Sequence, residues 1–236
     1  MSKFKDSGLY QSIKFPAGLL VLLWIIQLFQ YLTGFNLGGF GIYPRHLIGF
    51  KGVFTSPFIH SSNDMMHLIN NSVPLFISMA VILFFYRRVA YQSIAMIYVL
   101  TGLAVWIFAR PVFHIGASGV IYGLVSFIFW NGIFRRNIKS IVLALIILLL
   151  YSGMFLGVLP NQPGISWESH LIGGLVGIVV SFVFRHQLEW EEIAEKETVM
   201  IQEGEEGFFL ERDTFEKTFD QRKRDRHQDW NSNTTW

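Results

Sequence analysis

The sequence predicts an all-α membrane protein, a bundle of six transmembrane helices. Three observations predict it. Hydrophobic residues make up 52% of the 236 residues, charged residues only 15%, and the mean hydropathy is +0.40. Soluble domains carry more charge and less apolar surface. Apolar stretches able to cross about 30 Å of hydrocarbon recur between residues 15 and 184. Charge is also segregated: residues 1–184 hold 11 Lys and Arg against 3 Asp and Glu, whereas 185–236 hold 8 against 14. A basic membrane body is followed by an acidic, solvated tail. The lack of cysteine excludes disulfides, thiolate metal sites and cysteine nucleophiles. No nucleic-acid partner is expected.

Residues 1–15 read as a basic cytoplasmic N-terminus. The first span covers about 15–33; it lacks a small-residue cleavage site and reads as a retained anchor. Residues 34–67 form a long loop rich in aromatics and poor in charge, a composition suited to the membrane interface. The second span, 68–85, is interrupted by Asn70, Asn71 and Pro74. The third is 91–109 and the fourth 117–134. The fifth, 138–159, is the most uniformly aliphatic, and the sixth, 169–184, is short and rich in glycine. From 185 onward the charges alternate. Glu189-Trp190-Glu191-Glu192-Ile193 predicts a short amphipathic helix, and the rest of the tail predicts partial disorder.

Basic residues set the orientation. Lys3, Lys5 and Lys14 precede the first span, Arg87 and Arg88 follow the second, Arg135, Arg136 and Lys139 follow the fourth, and Arg185 ends the sixth. The other side has Arg45, Lys51 and Arg110. Both termini are therefore expected in the cytoplasm. The N-terminal ends of the fourth and sixth spans then lie near one outer face.

Those two ends carry the chemistry. Ser118 heads the fourth span, and His170 heads the sixth. Gly119 and Gly123 form a small-xxx-small pair on the fourth; Gly173 and Gly177 do so on the sixth. Such faces allow two helices to touch backbone to backbone and bring serine within reach of histidine. The histidine would then act as general base and later as general acid. Tyr122, one turn after Ser118, is placed to pack on the imidazole. The nearest carboxylate in sequence to His170 is Glu168, and none is placed to orient the ring, so a dyad is expected instead of a triad. In the second span, His67 and Asn71 share a face one turn apart. With the Ser118 backbone N–H they are candidate donors to a developing oxyanion, and a helix N-terminus favours negative charge there. His60, His114 and Asn70 read as structural or interfacial residues.

These residues resemble the rhomboid family of intramembrane serine proteases over about 16–184. Gly116-Ala117-Ser118-Gly119 is similar to the family's GxSG nucleophile motif, with Gly116 supporting the oxyanion region, and Tyr122 matches its tyrosine. His170 with Gly173 and Gly177 is similar to its histidine-glycine helix. His67-Leu68-Ile69-Asn70-Asn71 is similar to its HxxxN element. The stretch from Pro44-Arg45 to His60 resembles its first outer loop, with Gly49-Phe50-Lys51-Gly52 where a Trp-Arg pair is common. His114 is not a usual family residue. The resemblance implies a six-helix rhomboid-like bundle with a water-filled outer cavity and no cofactor. Its substrates would be transmembrane proteins, cut near the top of their membrane segments after lateral entry between the second and fifth helices. The absence of a transit peptide points to a bacterial plasma membrane.

Two other functions compete with this one. A rhomboid-like protein that binds membrane clients without cleaving them usually lacks the serine or the histidine, and this chain has both. A metal-dependent reading would draw on His46, His60, His67, His114 and His170, but no HExxH motif accompanies them. No metal is expected.

Overall fold

The computed structural model describes residues 8–135, 138–150, 157–160, 166–187, 193, 217–221 and 223–224. The chain divides into two compact units, Met1–Glu189 and Trp190–Trp236. The amphipathic helix expected at 189–193 lies outside the described residues apart from Ile193, as does most of the tail expected to be disordered.

The first unit contains α1 (Gly8–Thr33), α2 (Leu47–Phe50), α3 (Gly52–Thr55), α4 (Met65–Phe85), α5 (Ala90–Phe108), α6 (Ser118–Arg135), α7 (Ile138–Leu150) and α8 (Trp167–Phe184). Short 3-10 turns occupy Gly38–Phe40 and Ser56–Phe58. No strand occurs among the described residues; Ile42 and His114 form an isolated antiparallel bridge. The protein is all-helical, and a helix stands at each predicted span.

The boundaries differ for physical reasons. α1 starts at Gly8, before the expected 15, because its first turns are helical without being apolar, and the helix runs on through Pro16. α4 starts at Met65 because the Asp64 carboxylate accepts from the Met66 N–H at 3.0 Å and caps the helix. It continues unbroken through Pro74, which is buried. The fifth span was expected to reach 159. The helix is described over Ile138–Leu150, 151–156 lie outside the described residues, and 157–160 form a turn, so the helical span stops short of 159. An apolar run shows where a chain can be buried, not where its helix stops.

Among the described residues, four helices, α1, α4, α5 and α8, are long and apolar enough to cross a bilayer. α6 is not among them, and its position explains why. It packs against α4, α5, α7 and α8, and Ile121, Leu124, Phe127 and Ile128 are fully buried in the main core with Leu68, Ile82, Ile97 and Val180. A helix enclosed by protein needs no continuous lipid-facing surface, so it can carry Gly, Ser and Asn.

The loop 34–64 is held down by side chains bonding to backbone. Arg45 donates from Nη1 to the carbonyls of Ile107 at 3.1 Å and Ala109 at 2.8 Å, around the C-terminal end of α5. There a cation satisfies orphan carbonyls and opposes the helix dipole. Trp106 Nε1 donates to the His46 carbonyl at 3.0 Å. From α1, Gln27 donates to Ser61 at 2.9 Å and Gln30 to His60 at 3.2 Å. That accounts for two buried glutamines in the apolar part of this helix.

α6 and α8 make the closest contact. A methyl on Gly173 would overlap the Gly119 carbonyl, and one on Gly177 would overlap the Gly123 carbonyl. Ser126 Oγ donates across the same seam to the Gly174 carbonyl at 2.7 Å. Gly174 itself faces open space, with no atom within 4 Å of where a methyl would sit. Gly173→Ala is therefore expected to cost about 1–3 kcal/mol through overpacking, whereas Gly174→Ala should stay within about 0.5 kcal/mol of the parent. Unfolding of both variants in mixed micelles checks the difference.

Candidate active site

Ser118 is the first residue of α6, and His170 lies in the first turn of α8. The glycine seam brings them together: Ser118 Oγ and His170 Nε2 are 2.8 Å apart. The other ring nitrogen settles the tautomer. His170 Nδ1 lies 2.8 Å from the Gly157 carbonyl oxygen, which can only accept. Nδ1 therefore carries the proton, and Nε2 presents a lone pair to the serine hydroxyl. Tyr122 stacks on the imidazole, with ring centroids 4.3 Å apart and planes 10° from parallel. The expected pairing of Ser118, His170 and Tyr122 is thus present as geometry. Glu168 does not orient the ring; it pairs with Arg110 at 2.8 Å.

The second wall comes from α4. Gly116 has φ of 102°, a left-handed conformation that side chains rarely adopt. Space is scarce as well: a Cβ there would lie 2.8 Å from His67 Nε2 and 3.7 Å from Asn71 Nδ2. Both side chains therefore converge on the backbone just before Ser118. Asn71 Nδ2 is buried and has no hydrogen-bond partner. A buried donor left unpaired costs free energy, and here it borders the turn that leads into Ser118. Asn70, next in sequence, is exposed and takes no part.

The loop 34–64 supplies a third wall that residue types alone did not reveal. The Gly116 N–H donates to the Ser56 carbonyl at 3.0 Å. His60 Nε2 accepts from the Ala117 N–H at 3.5 Å, and its ring stands edge-on to His67 with centroids 5.1 Å apart. His60, read from its residue type as structural or interfacial, braces the turn that presents Ser118. The part played by Gly157 is silent in the sequence, because a backbone carbonyl has no residue signature. Among the described residues, no three of His, Cys, Asp and Glu converge as a metal site requires.

A family model described as Rhomboid domain matches residues 47–187. This chain belongs to the rhomboid family. Uncharacterised proteins of Mycobacterium bovis and Mycobacterium tuberculosis are each 33% identical over 172 residues, covering 69% of this chain and 70% of theirs. An uncharacterised protein of Mycobacterium leprae is 29% identical over 174 residues, covering 70% of this chain and 68% of its own. With the rhomboid family and its apolar helices established, the chain is an integral membrane protein. The matched region contains Ser118, His170, His67, Asn71 and His60, and α1 precedes it.

His60 makes acid a stress on this rhomboid chain. Burial, and then the neighbouring His67, push it from 6.5 down to about 3, with the Phe58 backbone partly opposing. Between those values the unfolded chain binds a proton that the folded chain does not, so stability rises with pH. The contribution is complete above the unfolded value of 6.5 and is lost as pH falls toward 3. The expected loss is at most about 1.4 kcal/mol per pH unit. Buried His114 is also shifted downward, mainly by burial, so it too contributes stability that is lost as pH falls below 6.5. Comparing unfolding midpoints of His60→Gln and the parent at about pH 7.5 and about pH 4.5 should show a flatter dependence in the variant.

Proposed function

We propose that this protein is an active intramembrane serine protease that hydrolyses peptide bonds of transmembrane substrates near the outer face of the membrane. The observation that carries the reading is the 2.8 Å contact between Ser118 Oγ and His170 Nε2, made by two helix termini within the helix bundle. The runner-up, an inactive client-binding protein, gives no reason to keep a histidine in the tautomer a general base needs.

The steps follow from the atoms in place. As Ser118 Oγ attacks the substrate carbonyl carbon, its proton passes to His170 Nε2. The imidazolium is stabilised by the Gly157 carbonyl on Nδ1 and by the Tyr122 face. Negative charge on the former carbonyl oxygen is taken up by Asn71 Nδ2, His67 Nε2 and the N–H groups at the start of α6. Collapse breaks the C–N bond, and His170 returns the proton to the leaving amine. Water, deprotonated by His170, then attacks the ester, and Ser118 departs with a proton from the same ring. No cofactor takes part. The charge pattern supports cytoplasmic termini, and a bacterial plasma membrane is the compartment proposed.

Cleavage of a single-span reporter in liposomes tests this. Ser118→Ala and His170→Ala should each abolish turnover, and a chelator should leave the parent unaffected. Asn71→Ala should lower kcat by about 10²–10³ with the fold retained. Full activity in Ser118→Ala, or loss of activity with chelator, overturns the reading.

A further inference from the structure

His114 is buried, charged groups stand near it, and it takes no part in the proteolytic steps. Three separate segments meet on it. Its backbone exchanges both hydrogen bonds with Ile42 of the outer loop, at 2.8 and 2.9 Å. Its Nε2 lies 2.9 Å from the Arg110 carbonyl, so Nε2 holds the proton and donates. Nδ1 is then an acceptor, and it lies 2.5 Å from Ser166 Oγ. The Ser166 hydroxyl therefore donates to His114, and Ser169, 2.6 Å away, donates to Ser166. The relay has one consistent direction from Ser169 through Ser166 to His114.

Two features connect this relay to the Ser118–His170 pair. Ser166 is the N-cap residue of α8, yet its side chain makes no capping bond. A serine there ordinarily accepts from a backbone N–H in the first turn of its helix; this one accepts from the Ser169 hydroxyl instead and donates to His114, in the loop before Ser118. Ser169, at the other end, is the residue before His170, and its carbonyl lies 3.1 Å from where a Cβ on Gly119 would be. The relay thus ends beside both members of the dyad. The glycine seam alone holds α6 and α8 close but offers few side-chain knobs to set their axial register. Directional bonds in a low-dielectric surrounding supply it.

We propose that His114 is a positioning residue for the Ser118–His170 dyad, tying the segment that leads into Ser118 to the first turn of the helix that carries His170. This rests on the protease reading. A displacement of about 1 Å from a site remote from the reacting atoms costs on the order of 10²-fold in rate. The link to α8 is the part that matters, and two substitutions separate it from the rest. His114→Asn keeps an acceptor near the Nδ1 position and loses the donor to Arg110. His114→Gln keeps the donor and loses the acceptor.

Reporter cleavage and labelling of Ser118 by a fluorophosphonate probe, on the full chain in liposomes, give the test. His114→Ala, His114→Gln and Ser166→Ala should each lower kcat and the labelling rate about 10- to 100-fold with KM unchanged. His114→Asn and Ser166→Thr should recover most of the loss. The double variant His114→Ala/Ser166→Ala should be no slower than either single one. A folded His114→Ala or Ser166→Ala with parental kcat overturns the proposal, as do additive losses or a His114→Gln that outperforms His114→Asn. If His114→Ala fails to fold, the Ser166 pair decides. Failure of the protease reading appears elsewhere, in a parent that neither cleaves nor shows labelling dependent on Ser118, and it overturns the positioning role as well.

Discussion

The close approach of α6 and α8 is the constraint on which the rest of the site depends. Gly119 faces Gly173 and Gly123 faces Gly177 so tightly that a methyl on the α8 glycines would overlap the α6 carbonyls. Between membrane helices there is little hydrophobic gain on association, so close van der Waals packing carries the contact. The seam does two things at once. It brings Ser118 and His170, 52 positions apart, to 2.8 Å, and it places α6 among its neighbours, where it needs no apolar face toward lipid.

Around that seam the site is built from backbone as much as from side chains. The Gly157 carbonyl does for His170 what a carboxylate does in a triad: it fixes the tautomer and orients the ring. A neutral carbonyl suits a membrane site, because a buried carboxylate beside the dyad would carry a large desolvation cost. Glu168, the nearest carboxylate in sequence, pairs with Arg110. On the opposite wall, the positive φ of Gly116 admits His67 and Asn71 to the turn before Ser118. The outer loop closes the enclosure through Ser56 and His60. Each wall comes from a different part of the chain, so the site is a property of the bundle.

Much of this was legible before the structure. Membrane spans are readable because lipid demands long apolar runs, and helices occur at all the predicted positions. Ser118, His170, Tyr122, His67 and Asn71 stood out because polar residues in apolar spans are costly and so invite explanation. The ends of helices were less legible. The polar first turns of α1 and the turn at 157–160 leave no hydropathy signal, and the Asp64 cap shows itself only through a hydrogen bond. His60 and His114 were read as structural or interfacial residues, and the bonds that give them their places were invisible.

The order of apolar and polar residues by itself determined that this is an all-helical membrane protein, and which residue types stand at which helix ends. Those follow from local period, hydropathy and glycine spacing, each a property of a short window of chain. The three-dimensional structure alone decided the tautomer of His170, the unpaired amide of Asn71 beside Gly116 and the relay from Ser169 to His114. These are contacts between residues far apart in sequence, and several of them use backbone atoms that every residue shares. Their positions are set by how whole helices pack, which no local pattern encodes.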